Sequence, residues 1–157
     1  STIAQSPLSL LHSSINMRLS LVSRALGRAY LAFCLPDEQE IILGLIEQSS
    51  DAEDQAAGDR PTIMATLAEV RAQGYALRNP TIRPISNTLA LPIYEDNRVV
   101  ASFGLTWFSS ALSLEEARLT LYPAMKIATD DISARLKTLS RLPGRHPELP
   151  LENFPHS

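Results

Sequence analysis

Two neighbouring segments constrain this chain more than any other feature. Thr88 to Tyr94 and Val99 to Trp107 both alternate in character, and the polar triplet Glu95-Asp96-Asn97 lies between them. Alternation with a period of two places successive side chains on opposite faces of a strand, and a short polar turn brings the second strand back beside the first. In the first strand Leu89, Leu91 and Ile93 share one face, while Thr88, Ala90 and Pro92 share the other. In the second, Val99, Ala101, Phe103, Leu105 and Trp107 share one face, while Val100, Ser102, Gly104 and Thr106 share the other. The chain must therefore hold an antiparallel hairpin with one bulky apolar face that needs a cover.

The rest supplies covers with helical spacing. Leu26, Ala29, Tyr30 and Phe33 predict a buried helix over residues 24 to 34. Pro36 stops it and opens another, aided by Asp37, Glu38 and Glu40 near the new N-terminus, with Ile41, Ile42, Leu45 and Ile46 as its apolar face. Residues 49 to 60 are acidic and small and read as a surface loop. Pro61 opens a third helix that buries Ile63, Leu67 and Val70, with Gly74 as its C-terminal cap. Pro80 and Pro84 make residues 78 to 87 an irregular connection. Ser113 and Glu116 form a capping box, and Ala117, Leu121, Ala124, Ala128, Ile132 and Leu136 are expected to line the buried side of the last helix, which Pro123 should kink or split. Upstream, Ile15, Met17, Leu19 and Leu21 alternate weakly as a strand. The architecture is α+β, an antiparallel sheet with flanking helices, with residues 1–140 as one domain and 141–157, rich in proline, as an irregular tail.

At 157 residues with 45% hydrophobic and 20% charged, the chain suits one domain with a real core. Its net charge of −3 gives no electrostatic reason to touch nucleic acid, which calls for a basic stripe. Cys34, the one cysteine, lies in an apolar run and reads as a buried, inert thiol. No run approaches the length of a membrane span, and the first residues lack the pattern of a signal peptide, so the expected location is cytoplasmic. The start at Ser1, without Met, reads as a domain excised from a longer protein.

Chemistry-bearing constellations are missing from the pattern. The three histidines are scattered, no serine sits in a nucleophile elbow, no residues have metal-ligand spacing, and six glycines form no phosphate loop. No cofactor and no metal are expected. The hairpin's second face is instead unusually lean: Thr88, Ala90, Ser102, Gly104 and Thr106. Small side chains leave volume and the hydroxyls supply hydrogen bonds, which is what a small-ligand pocket requires. The ordinary alternative is a face that is solvated or covered by a helix. Arg24, Arg28, Arg78 and Arg83 fall near segments that can rim such a pocket, where a guanidinium would hold a carboxylate.

An ordered set of segments resembles a known family. Ser23-Arg24-Ala25-Leu26-Gly27-Arg28-Ala29-Tyr30-Leu31-Ala32 carries an A-x-G-[KR]-A core, Leu35-Pro36-Asp37-Glu38 a helix start, and Val70-Arg71-Ala72-Gln73-Gly74-Tyr75-Ala76 a "VRxxGYA" helix end. Leu89-Ala90-Leu91-Pro92-Ile93 resembles an "IAAPI" strand, Val99-Val100-Ala101-Ser102 the strand after it, and Ser109-Ser110-Ala111-Leu112-Ser113 the step into the last helix. Together, over about residues 15 to 138, they resemble the C-terminal effector domain of IclR-type bacterial transcription regulators. The resemblance implies a profilin-like, GAF-related fold that acts as an effector-binding and oligomerisation domain and not as an enzyme. It implies a homodimer or homotetramer whose contact with DNA runs only through an N-terminal winged helix-turn-helix absent from this chain.

The implied effector is a small carboxylic acid. By this resemblance the pocket positions fall at Ala25, Arg78, Thr88, Gly104 and Thr106, three of them on the lean face beside Ala90 and Ser102. Arg78 stands where glyoxylate-type members carry an acid, and Gly104 where they carry a hydroxyl, so glyoxylate does not carry over. Leu31-Ala32-Phe33-Cys34 and Ser109 to Glu115 lean toward members that sense aromatic carboxylic acids. A small enzyme acting on acids or esters, and a dimerisation module without ligand, are the alternative functions.

Overall fold

The structure is a computed structural model that describes residues 20–80 and 85–142. Among the described residues five helices and three strands follow in order: α1 (Ala25–Phe33), α2 (Pro36–Glu47), α3 (Ala52–Ala56), α4 (Arg60–Gln73), β1 (Ala76–Leu77), β2 (Ser86–Glu95), β3 (Arg98–Phe108) and α5 (Leu114–Ser140). The strands form one antiparallel sheet in the order β1-β2-β3. The hairpin turns on Asp96 and Asn97, with Asp96 at φ 53°, a left-handed conformation that aspartate tolerates better than most residues.

The two sheet faces are covered differently. Leu89 and Leu91, each 1% exposed, pack with Tyr75 and Met125 under α5, and Phe103, Trp107 and Leu121 close that layer. The opposite face meets α1. Ala25, Ala29 and Ala32 recur at helical spacing, and with Ala76 and Ala90 they form a buried cluster that Leu31, Leu43, Ile63, Leu67 and Val70 extend to α2 and α4. Alanines on both sides let the helix lie close to the sheet, and each buried leucine contributes roughly 1.5–3 kcal/mol over leaving it in water. The result is three layers, with the sheet between α5 and the α1–α4 group.

Local chemistry explains where the elements begin and end. The Asp51 side chain accepts from the Glu53 and Asp54 amides, and Asp59 from Thr62, so both carboxylates cap helix N-termini. Gly74, at φ 88°, ends α4 in the left-handed conformation expected of a glycine cap. Ser113 and Glu116 form the reciprocal capping box at the start of α5.

The structure corrects several sequence expectations. Residues 49 to 60 are not simply a loop: Asp51 caps the short helix α3, and Asp54 within it is buried. On α2 the buried residue is Leu43, one turn past buried Gln39. Ile41 and Leu45 are exposed, because they lie on the far side of the helix from the Gln39–Leu43 row. On α5 the buried row is Ala117, Met125 and Thr129 with Leu121 half-buried, so Ala124, Ala128 and Ile132 are exposed. Pro123 does not split the helix, which runs unbroken across it. The β2–β3 register slips between Ile93 and Tyr94, so Val99 stands opposite Tyr94, and the expected alternation holds from Ala101 onward. Leu21 and Val22 lie in a turn, not a strand, while Ile15, Met17 and Leu19 lie outside the described residues, as do Arg83 and residues 143–157 of the expected tail.

Candidate functional site

The lean face exists as a register. Thr88 pairs with Thr106, Ala90 with Gly104, and Pro92 with Ser102 across β2 and β3. The volume expected above its middle is filled, however, because α1 lies on it. A Cβ at Gly104 would stand 3.0 Å from Leu26 Cδ2, 3.4 Å from the Leu89 carbonyl oxygen and 3.5 Å from Ala90 Cβ. The Ser102 hydroxyl donates to the Leu26 carbonyl at 2.9 Å, and Ala25 is 2% exposed within the alanine row of α1. Ala25, Ala90, Ser102 and Gly104 thus seat the helix against the sheet. At the far end the Thr88 and Thr106 hydroxyls lie 2.8 Å apart in a hydrogen bond to each other.

Open volume is found beyond that end. A cavity of about 270 Å³ takes Thr88 from β2, Leu77 and Arg78 from β1 and the residue after it, Arg28 from α1, and Thr66, Glu69, Val70 and Gln73 from α4. Of the seven residues proposed from sequence, Arg78 and Thr88 line it. The α4 residues were missed, although positions 66, 69, 70 and 73 follow helical spacing and form one stripe that shares Val70 with the buried Ile63–Leu67–Val70 row.

Among the described residues, two guanidiniums and one carboxylate line this cavity. Arg28 is half-buried. Its Nε donates to the Val22 carbonyl at 2.7 Å and its Nη1 to the Leu77 carbonyl at 3.0 Å. Burial lowers its pKa from the ordinary value, and attraction from Glu69 works the other way. Arg78 Nη1 donates to the Ser86 hydroxyl at 3.2 Å. Arg24, also expected at the rim, is instead held by Glu53 through contacts of 2.9 and 2.5 Å.

Two other hollows have the opposite balance. One of about 370 Å³ sets Glu47, Asp54 and Asp59 against Arg60, whose guanidinium already pairs with Glu40 and Glu47. A wider groove of about 630 Å³ beside Leu35, Pro36 and Ile41 sets Asp37 and Glu38 against Arg98. An organic anion is favoured where cations are in excess, and of these three hollows only the Arg28–Arg78 cavity has that excess, so it is the candidate site. Cys34 is 8% exposed, its thiol donates to the Leu31 carbonyl at 3.3 Å, and burial raises its pKa, all of which keep it protonated and inert. Among the described residues no group of three or more His, Cys, Asp or Glu is placed to hold a metal ion, and no helix is long and apolar enough to cross a membrane.

This arrangement has relatives. Residues 2–134 match the family described as bacterial transcriptional regulator IclR C-terminal. The HTH-type transcriptional regulator KdgR of Escherichia coli (strain K12) is 31% identical over 127 residues, covering 80% of this chain and 48% of the relative, so the chain spans about half the length of that curated relative. The solved C-terminal domain of E. coli KdgR superimposes with a TM-score of 0.62 at 28% identity over 77% of this chain and 73% of that one. The inducer-binding domain of the transcription factor PobR from Acinetobacter, a double mutant in complex with 3-hydroxybenzoic acid, superimposes at 0.59 with 15% identity over 74% and 68%, a likeness of fold. With its helix–sheet–helix layers shared by solved relatives and its sequence matched from the first residues into α5, the chain belongs to the IclR family of bacterial transcriptional regulators, as their C-terminal domain.

Proposed function

We propose that this domain senses a small carboxylic acid and thereby controls DNA binding by a helix-turn-helix domain attached to it in the full regulator. The observation that carries the reading is the excess of guanidinium over carboxylate among the described residues around a small cavity: Arg28 and Arg78 against Glu69. A planar guanidinium grips a carboxylate through two parallel N–H donors, with more geometric specificity than a point charge offers. Thr88 gives a hydroxyl for a second polar group, and Val70 and Leu77 give apolar wall for a ring or chain. A volume of about 270 Å³ lies at the small end for ligand pockets, which suits a metabolite-sized acid. That a domain of the same fold is known with 3-hydroxybenzoic acid supports an aromatic acid.

In this reading Arg78 and Thr88 contact the ligand, Thr106 holds the Thr88 hydroxyl, and Ala25, Ala90, Ser102 and Gly104 fix the position of α1 over the sheet. The domain works as a homodimer or homotetramer in the cytoplasm and catalyses nothing, in keeping with relatives named as transcription regulators. Ligand binding shifts the population between arrangements of the oligomer, and so of the DNA-binding domains.

Calorimetric titration with benzoate, 3-hydroxybenzoate, 3-phenylpropionate and short aliphatic acids, each beside its neutral amide, tests this. At least one acid is expected to bind more tightly than its amide, and Arg78→Ala to narrow that preference. Amides binding as well as acids would overturn the carboxylate reading.

A further inference from the structure

The residues around the cavity also hold the turn that leads into α1. Val22 and Ser23 are 2% and 0% exposed, and Ser20 is 6% exposed, so these three residues are buried although the turn forms no regular element and Leu21 in it is exposed. From the cavity side, Arg28 donates to the Val22 carbonyl, and the Asn79 amide, next in sequence to Arg78, donates to the Ser23 carbonyl at 2.9 Å. From the other side, the Ser20 hydroxyl donates to Asp54 at 2.5 Å and the Ser23 hydroxyl to the Glu53 carbonyl at 2.6 Å. Inside the turn, the Ser23 amide donates to the Ser20 hydroxyl at 3.2 Å and the Arg24 amide to the Ser20 carbonyl at 3.2 Å. The backbone of Leu21 passes so near Gly27 that a Cβ there would stand 2.5 Å from Leu21 Cα. The turn is therefore clamped between α3 and the arginine wall of the cavity.

We infer that Arg28 is the carboxylate anchor of the cavity and that its engagement is read out at the Ser20–Arg24 turn; this rests on the carboxylate reading above and assigns its transmitting residue. Arg28 has five N–H donors in a fixed fork, and the Nε and Nη1 groups already serve the Val22 and Leu77 carbonyls. A carboxylate that takes the Nε–Nη2 edge in a bidentate pair competes with the Val22 carbonyl for the Nε proton. The ionised acceptor makes the stronger hydrogen bond, so the guanidinium moves toward the ligand and releases Val22. Residues 20–24 then lose one of the bonds that close them, and cavity occupancy becomes freedom of the chain ahead of α1.

The test uses the 157-residue chain and the acids that calorimetry shows to bind. Hydrogen exchange is followed at the Ser23, Arg24 and Asn79 amides with and without the acid, and the affinity of Arg28→Lys is measured. Lysine keeps the charge but is a compact ammonium without the planar fork that grips a carboxylate bidentately. Exchange at the Ser23 and Arg24 amides is expected to rise about tenfold with the acid, as for loss of one ordinary net hydrogen bond, while amides lining the cavity on α4 slow. Arg28→Lys should bind the acid about tenfold more weakly. If the acid binds but exchange at these amides is unchanged, or if Arg28→Lys binds as the parent does, the anchor-and-turn inference is wrong while the carboxylate reading stands. If no acid of the panel binds, both fall. The exchange comparison in the parent chain decides the matter even where Arg28→Lys does not fold.

Discussion

Glycine to alanine should have opposite signs at two helical positions of this domain. Gly44 lies inside α2 with nothing within 4 Å of an added Cβ, so only backbone entropy and helix propensity act there, and Gly44→Ala should stabilise by roughly 0.5–1 kcal/mol. Gly27 lies inside α1, where the same propensity gain is available, but the added Cβ would stand 2.5 Å from Leu21 Cα, 2.8 Å from its carbonyl oxygen and 2.9 Å from its carbonyl carbon. These are backbone atoms of a turn tied down by Asp54, Glu53 and Arg28, so no side chain can swing aside. Overpacking costs about 1–3 kcal/mol. Contacts under 3 Å to backbone atoms put the cost at the upper end, about 2–3 kcal/mol, so against a gain of at most about 1 kcal/mol Gly27→Ala should lose about 1–2 kcal/mol. At about 2–4 °C per kcal/mol for a chain of this size, that lowers Tm by roughly 2–8 °C, while Gly44→Ala raises it by about 1–4 °C. Urea unfolding followed by the emission of Trp107, the single tryptophan, measures both variants. A Gly27→Ala chain as stable as the parent would refute the close approach of the turn to α1.

Two further outcomes follow from single side chains and a third from the net charge. Leu67, 1% exposed on α4 behind the cavity wall, should cost about 2–5 kcal/mol on truncation to alanine, measured by the same unfolding curves. The bonds that the Ser113 backbone and side chain make with Glu116 hold its carboxyl below the ordinary 4.5. The folded value is depressed, so this contribution is present above that pH and is lost as pH falls through the lower folded value. Glu116→Gln should therefore flatten the acid side of the stability profile, read as urea midpoints from about pH 6 to about pH 3. The chain by itself, at net charge −3, should fail to retard duplex DNA sequence-specifically in a gel.

The hairpin, the helix starts and the glycine cap were legible because each rests on local chemistry: period-two alternation, proline and acids at N-termini, and a residue that accepts positive φ. What was misread depends on partners distant in sequence. Ile41 and Leu45 look as apolar as Leu43, and only the buried cluster that Leu43 joins selects the row that is covered. The two-residue β1 is too short to alternate and exists because Ala76 and Leu77 pair with Ala90 and Leu89. The lean face of β2 and β3 was read correctly as small, but small residues fit both an open pocket and a helix brought close. The alanines of α1 were visible in the sequence as the other half of that second solution. The cavity itself joins Arg28, Glu69, Arg78 and Thr88 from four separate segments, and no spacing within one segment announces such a meeting.

Nuclear magnetic resonance titration with 3-hydroxybenzoate, beside 3-hydroxybenzamide as the uncharged control, tests the central claim most directly. If the Arg28–Arg78 cavity is the carboxylate site, the acid shifts the backbone resonances of Val70, Leu77, Arg78 and Thr88 saturably, and the amide moves them far less. Shifts centred on Glu47, Asp54 and Asp59, or equal responses to acid and amide, would contradict it.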